Sequence, residues 1–201
     1  MLHKSTLRRN PVLLYFSFGL ALLGYAILVF GILFRGAIQP ISATLLWLLL
    51  DGLAAWTAYS EGGNYLLAAG YTVGCLVAAL ATVYVGRVSF QKSDVWIAGL
   101  VVACVMVWYG AGNLAGLVAS SLAVFIAGLP ALILYWRRPQ DGLMSVWTIY
   151  TMANAVGLYG GWLKGSTVEN LVFPVFAVSG SLIGMILIAR KYLPGYAMQG
   201  E

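Results

Sequence analysis

The sequence predicts an all-α polytopic membrane protein, with seven transmembrane helices arranged as two parallel three-helix repeats joined by a linker helix. Three observations carry that prediction. Of the 201 residues, 62% are hydrophobic and only 8% are charged, whereas a soluble domain carries about 25% charged residues. The apolar residues gather into seven runs, each near the ~20 residues that cross a hydrocarbon core. The runs divide as three, one and three, with the fourth the shortest.

The first run, Val12–Phe34, follows a basic stretch, 1-MLHKSTLRRN-10. It is too long for the apolar region of a signal peptide and no A-x-A cleavage site follows it, so it reads as a retained helix. The second run, Ile41–Tyr59, contains an aspartate, Asp51. The third, Asn64–Val85, carries Gly70 and Gly74; the seventh, Leu171–Ile188, carries Gly180 and Gly184. Both pairs are small-xxx-small faces, which predict close helix packing. The fourth run, Val95–Tyr109, is apolar and uncharged and reads as the connector. The fifth and sixth are Leu114–Trp136 and Leu143–Gly160, separated by 137-RRPQDG-142. Every connection is short and polar, which makes successive helices antiparallel neighbours. Asn64, Asn113 and Asn170 stand where helices start and read as N-caps. The whole chain, 1–201, is then one membrane domain, with repeats at 12–87 and 114–190 and the linker at 94–110.

The repeat has a sequence trace. Pairing Trp47 with Trp147, an offset of 100, brings Pro40 within one residue of Pro139 and leaves Arg87 three residues short of Arg190. Three spans plus a linker helix put both halves in one orientation, related by an axis along the membrane normal. Arg35, Arg87, Lys92, Arg137, Arg138, Arg190 and Lys191 fall on one side; Lys4, Arg8, Arg9 and Lys164 fall on the other. The richer side is expected in the cytoplasm with the C-terminus, and the N-terminus outside.

Several function classes drop out. The net charge of +5 sits in tails and connections, with no basic stripe for nucleic acid. No apolar run contains a Lys to hold retinal, and there is no HExxH pattern, phosphate-binding loop or nucleophile elbow. No enzyme, metal or cofactor is expected. Cys75 and Cys104 lie inside apolar runs and read as small buried hydrophobes.

Asp51 is the residue that asks for an explanation, because a carboxyl at the centre of a lipid-facing helix costs about 3 kcal/mol. Trp47, Asp51 and Ala54 share one helical face at i, i+4 and i+7. The matching face of the sixth run is Trp147, Thr151 and Asn154, with Tyr150 beside it. A wet cavity between the repeats would accommodate these polar groups, and a carboxyl holding neighbouring helices together is the competing structural reading.

The stretch 130-PALILYWRRPQDGLMSVW-147 resembles the PQ-loop motif. Pro130 matches its proline, with Ala131 in place of the glutamine. Arg137 and Arg138 match its basic cluster, and Gly142, Leu143 and Ser145 its end, with Met144 inserted. In the first half Phe30 stands where the proline belongs. The 3+1+3 layout resembles the SWEET sugar transporters and their PQ-loop relatives. Trp147, Tyr150 and Asn154 are similar to the W-x-x-W-x-x-x-N signature of the PnuC vitamin transporters, which share that fold. These resemblances imply a plasma-membrane carrier, in a bacterium an inner-membrane one, for a small polar solute that is sugar-like or vitamin-like. They give Asp51, Trp47, Trp147, Tyr150, Thr151 and Asn154 as its substrate-binding set and Pro130 as a hinge or motif residue. KDEL-receptor relatives of the same architecture imply the alternative, a receptor, sorting or assembly protein that moves no solute. The expected partners are the lipid bilayer and a small-molecule solute, with a homo-oligomer left open and no nucleic acid.

Overall fold

The structure, a computed structural model, describes residues 11–37, 41–86, 93–139 and 143–193. Among them are seven α-helices: α1 (Pro11–Phe34), α2 (Ile41–Ser60), α3 (Leu66–Tyr84), α4 (Ser93–Ala111), α5 (Asn113–Arg137), α6 (Met144–Lys164) and α7 (Val168–Ala189). A short 3-10 turn, Arg190–Tyr192, follows. Each helix coincides with an apolar run, because only internal hydrogen bonding satisfies the backbone of a chain with so few polar side chains. Gly112, at φ 86°, separates α4 from α5; that backbone region is open to glycine at little cost.

By length and composition, α1, α3, α5 and the stretch Val168–Tyr192 can cross a membrane; the apolar part of α4, Ala98–Ala111, is shorter. Large apolar side chains such as Phe16, Leu80, Met106 and Ile186 are exposed on the outside. That is the distribution expected of helices compatible with a lipid surround.

Six helices close a ring. α1 packs on α3 and α6, α3 on α2, α2 on α5, α5 on α7, and α7 on α6, while α4 lies against α5 with a lesser contact to α2. This corrects the expectation that successive helices are all neighbours: α3 lies between α1 and α2, and α7 lies between α5 and α6. Aromatic residues keyed into glycines on the inserted helices favour that order. Gly74 of α3 receives the ring of Tyr25 from α1, and Gly184 of α7 receives Trp147 from α6; a Cβ at either glycine would overlap the ring. Gly70 of α3 is close to Ala21 and Phe18 of α1, at 3.2 Å from its Cβ position, while Gly180 stands 3.5 Å from Phe125. Both glycine pairs thus sit at helix contacts.

The N-cap readings of the three asparagines do not hold. α3, α5 and α7 are capped by Tyr65, Gly112 and Thr167, none with a side-chain capping bond. Asn64 instead donates through Nδ2 to the Gly157 carbonyl of α6 at 3.1 Å. Asn113 accepts from Trp108 Nε1 at 2.9 Å, and Asn170, inside α7, donates to Gly165 O and Thr167 Oγ1. A buried amide with a carbonyl in reach gains more by that bond than by a cap that water also satisfies. α6 also runs on to Lys164, four residues past the sequence boundary at Gly160. Of residues cited from the sequence, Lys4, Arg8, Arg9, Pro40, Arg87, Lys92, Gln140 and Gly142 lie outside the described residues. For Pro130 only the backbone, within α5, is described.

Candidate functional site

Inside the ring lies a cavity of about 620 Å³. α2 presents Thr44, Trp47 and Asp51 to it, and α6 presents Trp147, Tyr150 and Asn154. Both sets are spaced i, i+3 and i+7, one stripe along a helix. α5 adds Val124, Gly128, Ala131 and Tyr135, again a single stripe. Tyr25 of α1 and Tyr71 of α3 complete the wall beside Asp51.

Asp51 is 3% exposed. Its Oδ2 accepts from the Cys75 thiol at 3.9 Å, a long contact even for sulfur, and its Oδ1 is buried with no hydrogen-bond partner. Cys75 Sγ is in turn 2.7 Å from the Tyr25 hydroxyl. Asn154 is the opposite case. Its Oδ1 accepts from the Tyr71 hydroxyl at 2.8 Å, and its Nδ2 donates to Ala177 O and Ser181 Oγ at 3.0 Å each. The carboxyl therefore keeps a free hydrogen-bond acceptor where both polar atoms of the amide are engaged. The Tyr150 hydroxyl is likewise buried, with Tyr25 as its polar neighbour.

The aromatic residues form one connected group. Tyr25, Tyr71 and Tyr150 pack mutually, with ring centroids 5.9, 5.2 and 5.4 Å apart. Trp147 joins Tyr150 at 6.4 Å and Tyr135 at 5.5 Å, both edge-on. Such offset contacts add about 0.5–1.5 kcal/mol each beyond area burial. They hold the wall in shape from α1, α3, α5 and α6 together.

The two ends of the cavity differ. One end reaches exposed residues, Arg35 and Gly36 after α1 and Arg137 at the end of α5. The other end is closed by direct bonds between the helices of 11–84 and those of 113–189. Lys164 Nζ donates to the carbonyls of Gly62 and Gly63 at 2.6 and 2.7 Å. The Asn64 amide N–H donates to Glu169 O at 3.2 Å, beside the Asn64–Gly157 bond already described. A Cβ on Gly63 would run into the Glu169 backbone, and one on Gly157 would stand 2.8 Å from Leu67 Cδ2.

The structure thus gathers Asp51, Trp47, Trp147, Tyr150 and Asn154 around one cavity. Thr151 is not among the residues lining it, and its hydroxyl donates to Trp147 O in its own helix at 2.8 Å. Sequence reasoning missed Tyr25, Tyr71 and the role of Cys75. Their only signal is that Tyr25, and also Gly70, Tyr71 and Gly74, fall among small residues where a helix neighbour comes close. Comparison with family models, with curated proteins and with solved structures gives no match.

Proposed function

We propose that this chain is a membrane carrier for a small polar solute, working by alternating access around the cavity that Asp51 and the aromatic residues line. The observation that carries this reading is the cavity's one-sidedness. It reaches the exposed end at Arg35 and Arg137 and stops short of the end tied by Lys164, Asn64 and Gly63. A carrier resting with its midplane site open to one side has this asymmetry.

The 3+1+3 repeat is part of the same proposal. α5, α6 and α7 begin 102, 103 and 102 residues after α1, α2 and α3. The packing order repeats too: α1–α3–α2 is matched by α5–α7–α6, and the α1–α6 contact by the α5–α2 contact. This supports a two-fold relation along the membrane normal, with α4 outside it. A shift of 103 pairs Asp51 with Asn154 and Trp47 with Tyr150, and it pairs Arg87 with Arg190. It therefore replaces the Trp47–Trp147 register. In this reading all seven helices span the bilayer, and the end bearing Arg35, Arg137, Arg190 and Lys191 faces the cytoplasm.

The test is solute flux into vesicles containing the purified chain. Saturable uptake of a labelled sugar, nucleoside or amine, lost on Asp51→Leu, supports the carrier. A protein that binds solute without moving any across the bilayer is a receptor, and the proposal falls. Impermeant labelling of cysteines placed at Gly36 and Gly62 from opposite sides checks the orientation.

A further inference from the structure

We propose that the cavity takes an organic monocation, its positive group seated against the unpartnered Asp51 oxygen and among the surrounding aromatic rings. This rests on the carrier reading and adds to it the charge of the solute. Asp51 Oδ1 is buried in the cavity wall and accepts no hydrogen bond. A carboxylate so placed is costly unless something pairs with it. The groups around it are neutral: Tyr25, Tyr71, Tyr150 and Asn154 line the cavity with it, and the Cys75 thiol contacts it from α3. The cations lining the cavity, Arg35 and Arg137, stand exposed at its mouth. From Ile41 to Asp51 the helix climbs ten residues, about 15 Å, which sets the carboxyl well inside the end at which those cations stand. Asn154, the polar group opposite, is committed to Tyr71, Ala177 and Ser181.

The wall chemistry points the same way. Trp47, Trp147, Tyr25, Tyr71 and Tyr150 all line the space, and aromatic rings favour a cation over a neutral isostere. Trp47 and Tyr150 are half-buried, so part of each is open to a ligand. The Tyr150 hydroxyl, buried in the cavity wall beside Tyr25, supplies a second polar contact for a substituent on the ligand. A volume of about 620 Å³ falls within the range of small-molecule sites. It leaves room for a cation carrying several carbon atoms, and among the described residues no group of three His, Cys, Asp or Glu side chains gathers to hold a metal ion.

A proton is the other species that satisfies Asp51 Oδ1, and the test separates the two. Purified full-length protein is titrated with choline and with its uncharged carbon isostere 3,3-dimethylbutan-1-ol. A second pair is benzylamine and benzyl alcohol. Binding is read from tryptophan fluorescence and thermal shift. At least one cation is expected to bind roughly tenfold or more tightly than its neutral partner. Asp51→Asn, which imitates a protonated carboxyl, reduces that preference to near unity, and Trp47→Leu weakens the cation several-fold. Equal binding of cation and isostere to the wild type, or no binding by either cation, overturns the proposal without need of any variant. A preference that survives Asp51→Asn overturns it as well. Flux in vesicles separates this inference from the carrier reading. Cations that bind but do not cross leave the cation site standing and remove the carrier. Neutral solutes that cross while neither cation binds leave the carrier and remove the cation site.

Discussion

Glycine does opposite things at the two ends of the cavity. At the closed end Gly63 lies against the Glu169 backbone, and even a methyl group there collides. Toward the open end Gly128 lines the cavity, and a Cβ there meets nothing within 4 Å. At Gly63 the missing side chain makes contact between halves; at Gly128 it makes empty space. The closed end is thus held by close-packed backbone and a few hydrogen bonds, which have one good arrangement. The open end is held by the shapes of side chains around a void. A packed interface of the first kind separates as a unit rather than yielding gradually.

The strongest way to break this contrast is to fill the void. Gly128→Trp is expected to reduce flux to background, since the indole enters the cavity on the stripe shared with Val124, Ala131 and Tyr135. Unfolding free energy should change by less than it does on Gly63→Ala, because the new Cβ at position 128 meets nothing within 4 Å and the side chain extends from a cavity-lining position. Denaturant titration beside vesicle flux checks both halves of that statement. Next comes Gly63→Ala, which forces the closed end apart. Overpacking of this kind costs about 1–3 kcal/mol, so labelling of a cysteine at Gly180 from the closed side should rise by roughly 5- to 150-fold. Unchanged labelling would mean that the Gly63–Glu169 contact is not part of the seal.

Asn64→Ala is expected to have a smaller effect. It removes one buried bond to Gly157, about 1 kcal/mol, for a rise of roughly fivefold in the same labelling rate. Lys164→Met keeps the apolar stem and removes the two donations to Gly62 and Gly63. The Gly62 bond is exposed, so water replaces part of what is lost. A change of about twofold or less is expected. Should Lys164→Met exceed Asn64→Ala, the seal lies at the surface clamp rather than in the buried contacts.

Helices were the legible part of this chain. The run Val12–Phe34 became Pro11–Phe34, and Ile41–Tyr59 became Ile41–Ser60, because a break in hydrophobicity and a break in helix share one cause. The boundary at Gly160 failed because Trp162 and Leu163 continue the helix toward a lysine whose partners are 101 and 102 residues away. Asp51 was legible as an anomaly, and its cavity position followed from helical spacing. Thr151 shows the limit of that spacing. It is one residue from Tyr150, yet its hydroxyl turns back to its own helix, and no single-chain pattern distinguishes i+3 from i+4 on a curved wall. Tyr25 and Tyr71 could not be picked out, since in an apolar run a tyrosine on a cavity and a tyrosine in a core look alike. Ring order was hidden as well, because the sequence carries no sign that Tyr25 of α1 seats in Gly74 of α3, past the intervening α2.

The closed end has a kinetic meaning. A carrier that rests with its site open to one side presents that site to the other side only in proportion to the rarer state. Its apparent dissociation constant from the closed side is then the intrinsic one divided by that fraction. Two sides of one membrane would report different half-saturation concentrations for the same solute at the same residues. The hydrogen bonds of Asn64 and Lys164, which touch no solute, would set the ratio.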